Sequence, residues 1–302
     1  MISERHDWIR AHSGAAPAGA TERVQSLWGG YGELLRVPLV DGRSVIVKEV
    51  RPGHGGGVSH ERKLRSYDVE HAFYRDHAPV AGARVARCLA TERSSDGWRF
   101  LLEDLDRAGY AGRARVLTGS QTAHALDWLA RFHARFLDRA PDGLWDEGTY
   151  WHLATRPAEL AELPEPALRS AAAAIDARLR AGRFRTLVHG DAKPANFCFG
   201  ADGAAAVDFQ YVGGGCGMKD VAYLLFAHRG WGAGDGGTGP LLDHYFAALR
   251  SALAPGLDGE ALEAEWRRLY PLARVDFLRF MAGWSPSRDT LRDYRDALAA
   301  LG

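Results

Sequence analysis

Three polar side chains that can bind a metal ion or accept a proton lie close together in LVHGDAKPANFCFGADGAAAVDFQ, residues 187–210. Asp191 follows an apolar run, Asn196 comes five residues later, and Asp208 ends a second apolar run. A carboxylate can orient a hydroxyl group and take its proton, while a carboxamide and a second carboxylate supply oxygen ligands for Mg²⁺. Phosphoryl transfer from a nucleotide depends on positioning, charge neutralisation and an oriented nucleophile, and these three groups can supply them.

A hairpin would bring the three side chains together. The sequence GADG between the two apolar runs predicts a turn, so the runs on either side of it should pair as antiparallel strands. Asn196 would begin the first strand and Asp208 would end the second. Because the turn sets the register of the strands, it also determines which of their residues face each other.

A lone lysine in an apolar run is the other chemical feature. The chain has 38 basic residues, and its only lysines are Lys48, Lys63, Lys193 and Lys219. Lys48 lies in SVIVKEV, where an unpaired buried ammonium group would be costly. We therefore expect an acidic partner on the helix that follows, where Glu61 and Glu70 are the candidates.

Composition and charge limit the class of protein. The chain has 302 residues, of which 46% are hydrophobic and 25% charged, and a net charge of zero; these are ordinary globular values. A neutral chain gives no reason to expect a nucleic-acid partner, and no apolar run approaches the ~20 residues of a membrane span. Three widely spaced cysteines and a polar beginning, MISERHDWIR, favour a cytoplasmic protein.

The elements that must position these residues change in character along the chain. The first hundred residues contain four or five strand-like runs and one predicted helix over 59–78, which together predict a sheet of about five strands with a long helix. The segments after Asp106 are mainly helical. The fold class is therefore α+β, with a β-rich N-lobe over 1–105, a mainly helical C-lobe over 106–302, and a hinge at LLEDLDRAG beside a cleft.

Local signals complete this outline. Helices are predicted over 122–140 and 166–182. The segment AHSGAAPAGA, residues 11–20, is typical of a flexible lead-in. Pro271 predicts a break in the helical run EALEAEWRRLYPLARVDFLRFMAGW, and Asp220 predicts the N-cap of the helix VAYLLFA.

The segment HGDAKPANF followed by VDFQ resembles the catalytic and metal loops of the aminoglycoside phosphotransferase/choline kinase family. The longer form VDFQYVGGGCGMKDVAYLL most resembles the ecdysteroid-kinase-like branch of that family. The resemblance implies a two-lobed protein-kinase-like fold that transfers the γ-phosphate of ATP, with Mg²⁺, to a hydroxyl group of a small organic molecule. It also implies that Asp191 is the catalytic base and that Asn196 and Asp208 bind the metal ion.

The resemblance extends to the N-lobe. It implies that Lys48 contacts the nucleotide phosphates and that Glu70, rather than Glu61, holds it. The stretch SLWGGYGELLRV stands where a loop should cover the phosphates, although a plain turn between strands would look the same. The glycines that would allow close backbone approach there are Gly29, Gly30 and Gly32.

The resemblance also places the adenine and a second cation. Adenine would be bound by backbone groups in FLLEDL, at Glu103, Asp104 and Leu105. Lys193, two residues after Asp191, is similar to the phosphate-facing lysine of Ser/Thr protein kinases. It would contact the γ-phosphate or, alternatively, be a solvated loop lysine.

Three further residues are expected to support this site. His133 in LARFHARF should be a core histidine. His189 should support the catalytic loop by hydrogen bonds, with a direct role as the alternative. In the family the residue that matches Asp220 braces the catalytic loop.

The acceptor is expected to be a small molecule and not a protein. The motifs are His-Gly-Asp and Asp-Phe-Gln where protein kinases have His-Arg-Asp and Asp-Phe-Gly, and the segment 211–218 is too short to dock a peptide. The C-terminal half is rich in aromatic residues that could line a pocket for a partly apolar acceptor: Trp128, Trp145, Trp151, Trp231, Trp266, Trp284, Tyr150, Tyr211, Tyr245 and Tyr270. The alternatives are an antibiotic-inactivating kinase and a nucleotide-binding pseudokinase that acts as a regulator.

Overall fold

An antiparallel five-stranded sheet forms the N-terminal part of the computed structural model, which describes residues 2–53, 55–229 and 237–301. The strands are β1 Glu22–Ser26, β2 Gly32–Pro38, β3 Ser44–Val50, β4 Cys88–Ser94 and β5 Gly97–Glu103. Their order in the sheet is β1-β2-β3-β5-β4. The sheet has the five strands that the sequence predicts.

The central strand β3 is buried on both faces, so its side chains alternate between two hydrophobic clusters. Val45 and Val47 pack in a small outer cluster with Trp8 and Ile9. Val50, on the opposite face, packs in the main core. Lys48 is two residues before Val50, so its side chain lies on the same face of the strand and projects toward the main core.

The outer face of the sheet is covered by a helix that the sequence analysis did not predict, α1 Ile2–Ser13. It buries little besides Trp8 and Ile9, too few apolar residues for a clear helical pattern. The prediction that 11–20 is a flexible lead-in is wrong. Ala15 is buried, and Pro17 pairs with Leu39 just beyond the end of β2.

The inner face of the sheet carries α2 Val58–Ala72, which continues as a π-helical turn at Phe73–His77 and a 3₁₀ turn at Ala78–Val80. The sequence predicts one helix over 59–78, and the structure confirms it with this change of winding. Tyr67, Val69 and Glu70 are buried on the side of α2 that faces the sheet and the rest of the chain.

Helices dominate the C-terminal part, as predicted. They are α3 Gly119–Arg135, α4 Pro157–Ala161, α5 Pro166–Arg180, α6 Met218–Arg229, α7 Gly239–Ala252, α8 Gly259–Trp284 and α9 Arg288–Ala299. A capping box between Thr118 and Gln121 begins α3. None of the helices in the described ranges combines the length and apolar character that a membrane span requires.

The predicted break at Pro271 is wrong, because α8 runs through it. Proline removes one backbone hydrogen bond from a helix. Here Tyr270 and Leu272 beside it are both buried, and α8 packs against α5, α6 and α9. Tertiary packing thus maintains the helix where the local signal favours a break.

Two small antiparallel pairs carry the loops of interest. Strand β6 Thr186–Val188 pairs with β9 Gly213–Gly215, and β7 Phe197–Phe199 pairs with β8 Ala204–Ala206. The β7–β8 turn at Gly200–Gly203 is closed by a bond from Gly200 N to Gly203 O of 2.9 Å. The predicted hairpin at GADG is therefore confirmed.

Candidate active site

The loop after β6 contains His189, Gly190 and Asp191, and a buried carboxylate holds it. The amide groups of His189 and Gly190 donate to the two oxygens of Asp220 at 2.6 and 2.9 Å. Gly190 has φ 80°, and a Cβ there would lie 2.1 Å from the Tyr211 carbonyl oxygen. Only glycine fits this turn, which directs Asp191 into the cleft.

Asp220 does not cap α6, which corrects the N-cap prediction. The helix begins at Met218, so Asp220 lies within its first turn, and its carboxylate accepts from the loop amides. The second expectation for this residue, that it braces the loop, agrees with this geometry.

His133 is fully buried and bridges Asp220 and the Tyr245 hydroxyl at 3.1 and 2.8 Å, which confirms that it is a core histidine.

His189 connects two loops. Its Nδ1 accepts from the Asp191 amide at 3.2 Å, and its Nε2 therefore donates to the Val207 carbonyl at 3.0 Å. Burial lowers the pKa of this imidazole, so it is a neutral group with both nitrogens engaged. The structure thus supports the expectation of a hydrogen-bonding support for the loop.

The carboxylate of Asp191 is buried and only half satisfied. One oxygen, Oδ2, accepts from Lys193 Nζ at 2.7 Å and from Asn196 Nδ2 at 2.9 Å. The other, Oδ1, has no partner within hydrogen-bond distance among the residues that the structure describes, although the Tyr223 hydroxyl group interacts with this carboxylate. A buried carboxylate oxygen of this kind is placed to accept a hydrogen bond from a bound hydroxyl group.

Burial raises the pKa of Asp191 to about 6, while the positive charge of Lys193 opposes this rise. In the ligand-free protein we expect the Asp191 carboxyl carbon to titrate near pH 6 in an aspartate-selective ¹³C NMR experiment, with Asp191→Asn identifying its signal. Lys193→Met should move the midpoint to higher pH, because the carboxylate loses a stabilising charge. Lys193→Arg should keep it near the wild-type value. A midpoint at the ordinary aspartate value of about 4 would contradict this.

Asn196 and Asp208 stand at the same end of the β7–β8 hairpin, where the Val207 amide donates to the Asn196 carbonyl at 3.0 Å. The Asn196 amide nitrogen donates to the backbone and side chain of Asp191, which turns the amide oxygen away from that carboxylate. Asp208 has a left-handed backbone with φ 67°. Its Oδ1 lies 3.7 Å from Lys48 Nζ and has no hydrogen-bond partner in the described ranges.

Asp208 is held in its charged form. Burial alone would raise its pKa, but the positive charges of Lys48, Lys193 and Lys63 keep it below the ordinary value. An ionised carboxylate with an unused oxygen, next to a carboxamide, is a donor set that suits a hard divalent cation. Asn196 and Asp208 therefore fit the Mg²⁺ site that the sequence predicts.

Lys48 is buried and paired with Glu70, as predicted in preference to Glu61. Its Nζ lies 2.8 and 2.6 Å from the two Glu70 oxygens. Burial alone would lower the pKa of Lys48, but Glu70 and Asp208 raise it above the ordinary value. The ammonium group thus remains charged in the interior, near Asp208, where it can bind an anion.

The glycine-rich stretch forms the turn between β1 and β2. Gly29 and Gly30 are exposed and have φ 69° and 74°, while Gly32, at φ 147°, begins β2. A Cβ at Gly32 would lie 1.9 Å from the Glu49 carbonyl oxygen. The Tyr31 hydroxyl lies 2.6 Å from His60 Nδ1, which joins the turn to the beginning of α2.

The acidic side chains of the predicted hinge segment form hydrogen bonds and ion pairs with residues of the N-terminal part. Glu103 pairs with Arg84 at 2.7 Å. Asp104 is buried, and it accepts from Arg36 Nε at 2.8 Å and from Ser44 Oγ at 2.6 Å. Leu105 is buried as well. Since these carboxylates are engaged, adenine recognition at this segment would use the backbone groups, as the sequence analysis expects.

Three tyrosines interact with Asp191, and a phenylalanine packs against one of them; we call these four the aromatic wall: Tyr150, Tyr211, Tyr223 and Phe280. The Tyr150 amide donates to the Gly190 carbonyl at 3.0 Å, and its ring lies 5.2–6.0 Å from the rings of the other three. Burial raises the pKa of all three tyrosines, and the charge of Asp191 adds to that effect. Arg156 lies over the Tyr150 and Phe280 rings.

The other aromatic residues of the prediction have different environments. Trp128, Trp266 and Tyr245 are buried in the main core, and Trp284 is 60% exposed. Trp231 lies outside the described residues. Tyr223 and Phe280 were not predicted, because they occur in ordinary apolar helical runs and only the packing of α6 against α8 brings them together at Tyr150.

The fold and the site define a phosphotransferase of the small-molecule kinase class. The model of the phosphotransferase enzyme family, APH, matches residues 33–272, and this chain belongs to that family. No curated protein matches the chain significantly.

Solved structures of kinases share the fold. Choline kinase from Cryptosporidium parvum aligns with a TM-score of 0.61 at 12% identity, over 100% of this chain and 94% of that one. The amicoumacin kinase hAmiN, in complex with AMP-PNP, Ca²⁺ and Ami, has a TM-score of 0.58 at 16% identity, over 99% and 94%. Macrolide 2′-phosphotransferase MphH from Brachybacterium faecium has a TM-score of 0.53 at 16% identity, over 100% and 97%. At these identities the likeness shows the two-lobed kinase fold.

Proposed function

We propose that this protein transfers the γ-phosphate of ATP, with Mg²⁺ as the divalent ion, to a hydroxyl group of a small, partly apolar organic molecule. The observation that carries the proposal is the position of two carboxylates, the buried Asp191 and the partly exposed Asp208, each of which has one oxygen without a hydrogen-bond partner among the described residues. Asp191 forms an ion pair with Lys193. Asp208 lies beside Lys48, whose ammonium group is also paired with Glu70. A cytoplasmic location, where ATP is available, is part of this proposal.

In the proposed reaction Asp191 Oδ1 accepts the hydrogen bond of the acceptor hydroxyl group and orients its oxygen toward the γ-phosphorus. The new O–P bond forms while the bond from the γ-phosphorus to the β,γ-bridging oxygen breaks, and ADP leaves. The hydroxyl proton passes to Asp191. Lys48, fixed by Glu70, binds the phosphates.

Asn196 and Asp208 would hold the divalent ion, which neutralises phosphate charge when it is bound. Lys193 would have two roles, because its ammonium group is paired with the carboxylate of Asp191. It keeps Asp191 ionised and adds a positive charge where the phosphoryl group is transferred. The glycine turn, the Lys48–Glu70 pair and the hinge backbone would bind the nucleotide.

The aromatic wall supports a partly apolar acceptor. Rings and hydroxyl groups at Tyr150, Tyr211 and Tyr223 suit a molecule with an apolar body and polar substituents. A polycationic aminoglycoside would need several available carboxylates. Glu147, in the nearby WDEGTY segment, is already paired with Arg180 and Arg185. The resemblance to the ecdysteroid-kinase-like branch, which is named for substrates that are steroid alcohols, also favours a partly apolar alcohol as the acceptor.

The acceptor class can be tested by a coupled ADP-release screen over sterols, amino alcohols, sugars, nucleosides, macrolides and aminoglycosides, with a protein-substrate control. We expect transfer to a small hydroxylated compound, confirmed by mass spectrometry as an addition of one phosphate group. Activity only on antibiotics would keep the mechanism and favour the antibiotic-inactivating alternative. Activity only on the protein control would overturn the proposed class. MgATP binding without transfer to any compound would favour the pseudokinase alternative.

A further inference from the structure

Three of the four lysines in this chain act on one carboxylate. Lys48, Lys193 and Lys63 all contribute to keeping the pKa of Asp208 low, against the effect of its burial. The other basic residues of the chain are 34 arginines. Lys48 and Lys193 already have places in the proposed mechanism, but Lys63, on α2, has none.

The helix α2 places Lys63 on the same face as Tyr67 and Glu70. Lys63, Tyr67 and Glu70 are spaced by four and three residues, so they lie on one side of the helix. The Tyr67 ring centroid lies 5.4 Å from Lys63 Nζ and 5.7 Å from Lys48 Nζ. Two ammonium groups therefore contact the same ring, and Lys63 stands two turns before Glu70, about 10 Å along the helix axis.

The contacts of this half of α2 reach the segment that follows Asp208. Lys63 Nζ lies 3.5 Å from Gln210 Oε1, and the Ser66 hydroxyl, which donates to the Lys63 carbonyl oxygen at 2.8 Å, lies 3.2 Å from the same Gln210 oxygen. Gln210 is two residues after Asp208 and precedes Tyr211 of the aromatic wall. Arg62, beside Lys63, donates to the Thr155 carbonyl oxygen at 2.9 Å.

The electrostatic setting of Lys63 favours an anionic ligand. Burial lowers the pKa of Lys63, and the neighbouring charge of Lys48 lowers it further, while Asp208 opposes both. A phosphate group would relieve the repulsion between the two ammonium groups. A divalent ion held by Asn196 and Asp208 would add two positive charges and increase the attraction for that phosphate.

We propose that Lys63 is a further nucleotide-binding residue, which contacts the terminal phosphate of ATP from α2 on the side of Asp208 that faces the acceptor. This inference rests on the proposed function, since it requires a nucleoside triphosphate in the cleft. Lys48 would bind the phosphates deeper in the cleft, beside Glu70. Gln210 would position the Lys63 ammonium group through its side-chain oxygen.

The test compares Lys63→Met with the wild-type protein by calorimetric titration of AMP-PNP, ADP and adenosine in Mg²⁺ buffer. We expect the affinity for AMP-PNP to fall about 10- to 100-fold, as for a lost charged hydrogen bond. The affinities for ADP and adenosine should change by less than about 3-fold, and Lys63→Arg should recover much of the AMP-PNP affinity. Thermal unfolding confirms that each variant is folded, and Lys63→Gln replaces the methionine variant if that one is not.

Ser66→Ala is the matched control. It removes the other α2 donor to Gln210 but keeps the Lys63 charge, so the ratio of AMP-PNP to ADP affinity should stay within about 3-fold of the wild-type ratio. Equal losses of AMP-PNP and ADP affinity in Lys63→Met would show that Lys63 only positions α2, and no loss would show that it does not bind the nucleotide. Either result overturns the inference but leaves the proposed function intact. A wild-type protein that binds no nucleotide would overturn both.

Discussion

Asp191→Asn should lower the rate of phosphoryl transfer by about 10²–10⁴-fold, the usual contribution of a general base, while the affinity for MgATP stays within a few-fold of wild type. An amide has the shape of the carboxylate but cannot take the hydroxyl proton. Its oxygen can still accept from Lys193 and Asn196, which contact Oδ2. Its nitrogen then occupies the position of Oδ1, which has no partner within hydrogen-bond distance in the described part of the chain.

Turnover is measured on the acceptor from the ADP-release screen, and nucleotide affinity by calorimetry. Asp202→Asn is the control for the chemical change, since Asp202 lies exposed in the β7–β8 turn and its variant should retain wild-type turnover. Normal turnover in Asp191→Asn would rule out the proposed role. An equal loss of MgATP affinity would indicate a damaged nucleotide site instead.

Asp208→Asn should lower the affinity for MgATP by about 100-fold or more. Loss of a residue that merely supports a metal ligand costs about 10- to 100-fold in metal affinity, and here the proposed ligand itself loses its charge. Asparagine is the suitable replacement because Asp208 has φ 67°, a backbone conformation that asparagine tolerates and alanine does not.

The same variant should bind metal-free ATP at least as well as the wild-type protein does. Removing the negative charge of Asp208 removes a repulsive neighbour of the phosphates and leaves Lys48 and Lys63 more attractive to them. Calorimetry with ATP in EDTA and in Mg²⁺ separates the two effects. Asp138→Asn is the control, since Asp138 has a similar left-handed backbone, φ 58°, at an exposed position. Unchanged MgATP affinity in Asp208→Asn would be evidence against the metal role.

The site residues that adjoin each other in sequence could be predicted, because local chemistry determines them. The hairpin turn brings Asn196 and Asp208 to the same end, and turn residues at GADG are visible in the sequence. The cost of burying an ammonium group predicts a partner for Lys48, although only the family resemblance favoured Glu70 over Glu61. Strands β2 to β5 followed from β-rich runs and turn signals, whereas β1, which is exposed along its whole length, has no such run.

Features that depend on distant packing could not be predicted. The contacts of Lys63 with Gln210 and of Tyr150 with Tyr223 join residues 147 and 73 positions apart, and nothing in either local sequence indicates the other member. Asp220 has the local pattern of an N-cap, but the backbone amides of another loop compete for its carboxylate. Pro271 was misjudged for a similar reason, since the core that keeps α8 continuous comes from other helices.

The carboxylate of Asp220 gives the His-Gly-Asp loop its shape, since both of its oxygens accept hydrogen bonds from the loop amides of His189 and Gly190. The conformational entropy of ordering this loop is therefore lost once, when the chain folds, and not again at each catalytic cycle. Asp191, which we propose as the base, is thus preorganised, and the reorganisation that accompanies substrate binding falls on other groups. Selection for faster turnover would then act on the acceptor pocket and on the glycine turn, while the backbone of His189 and Gly190 stays unchanged.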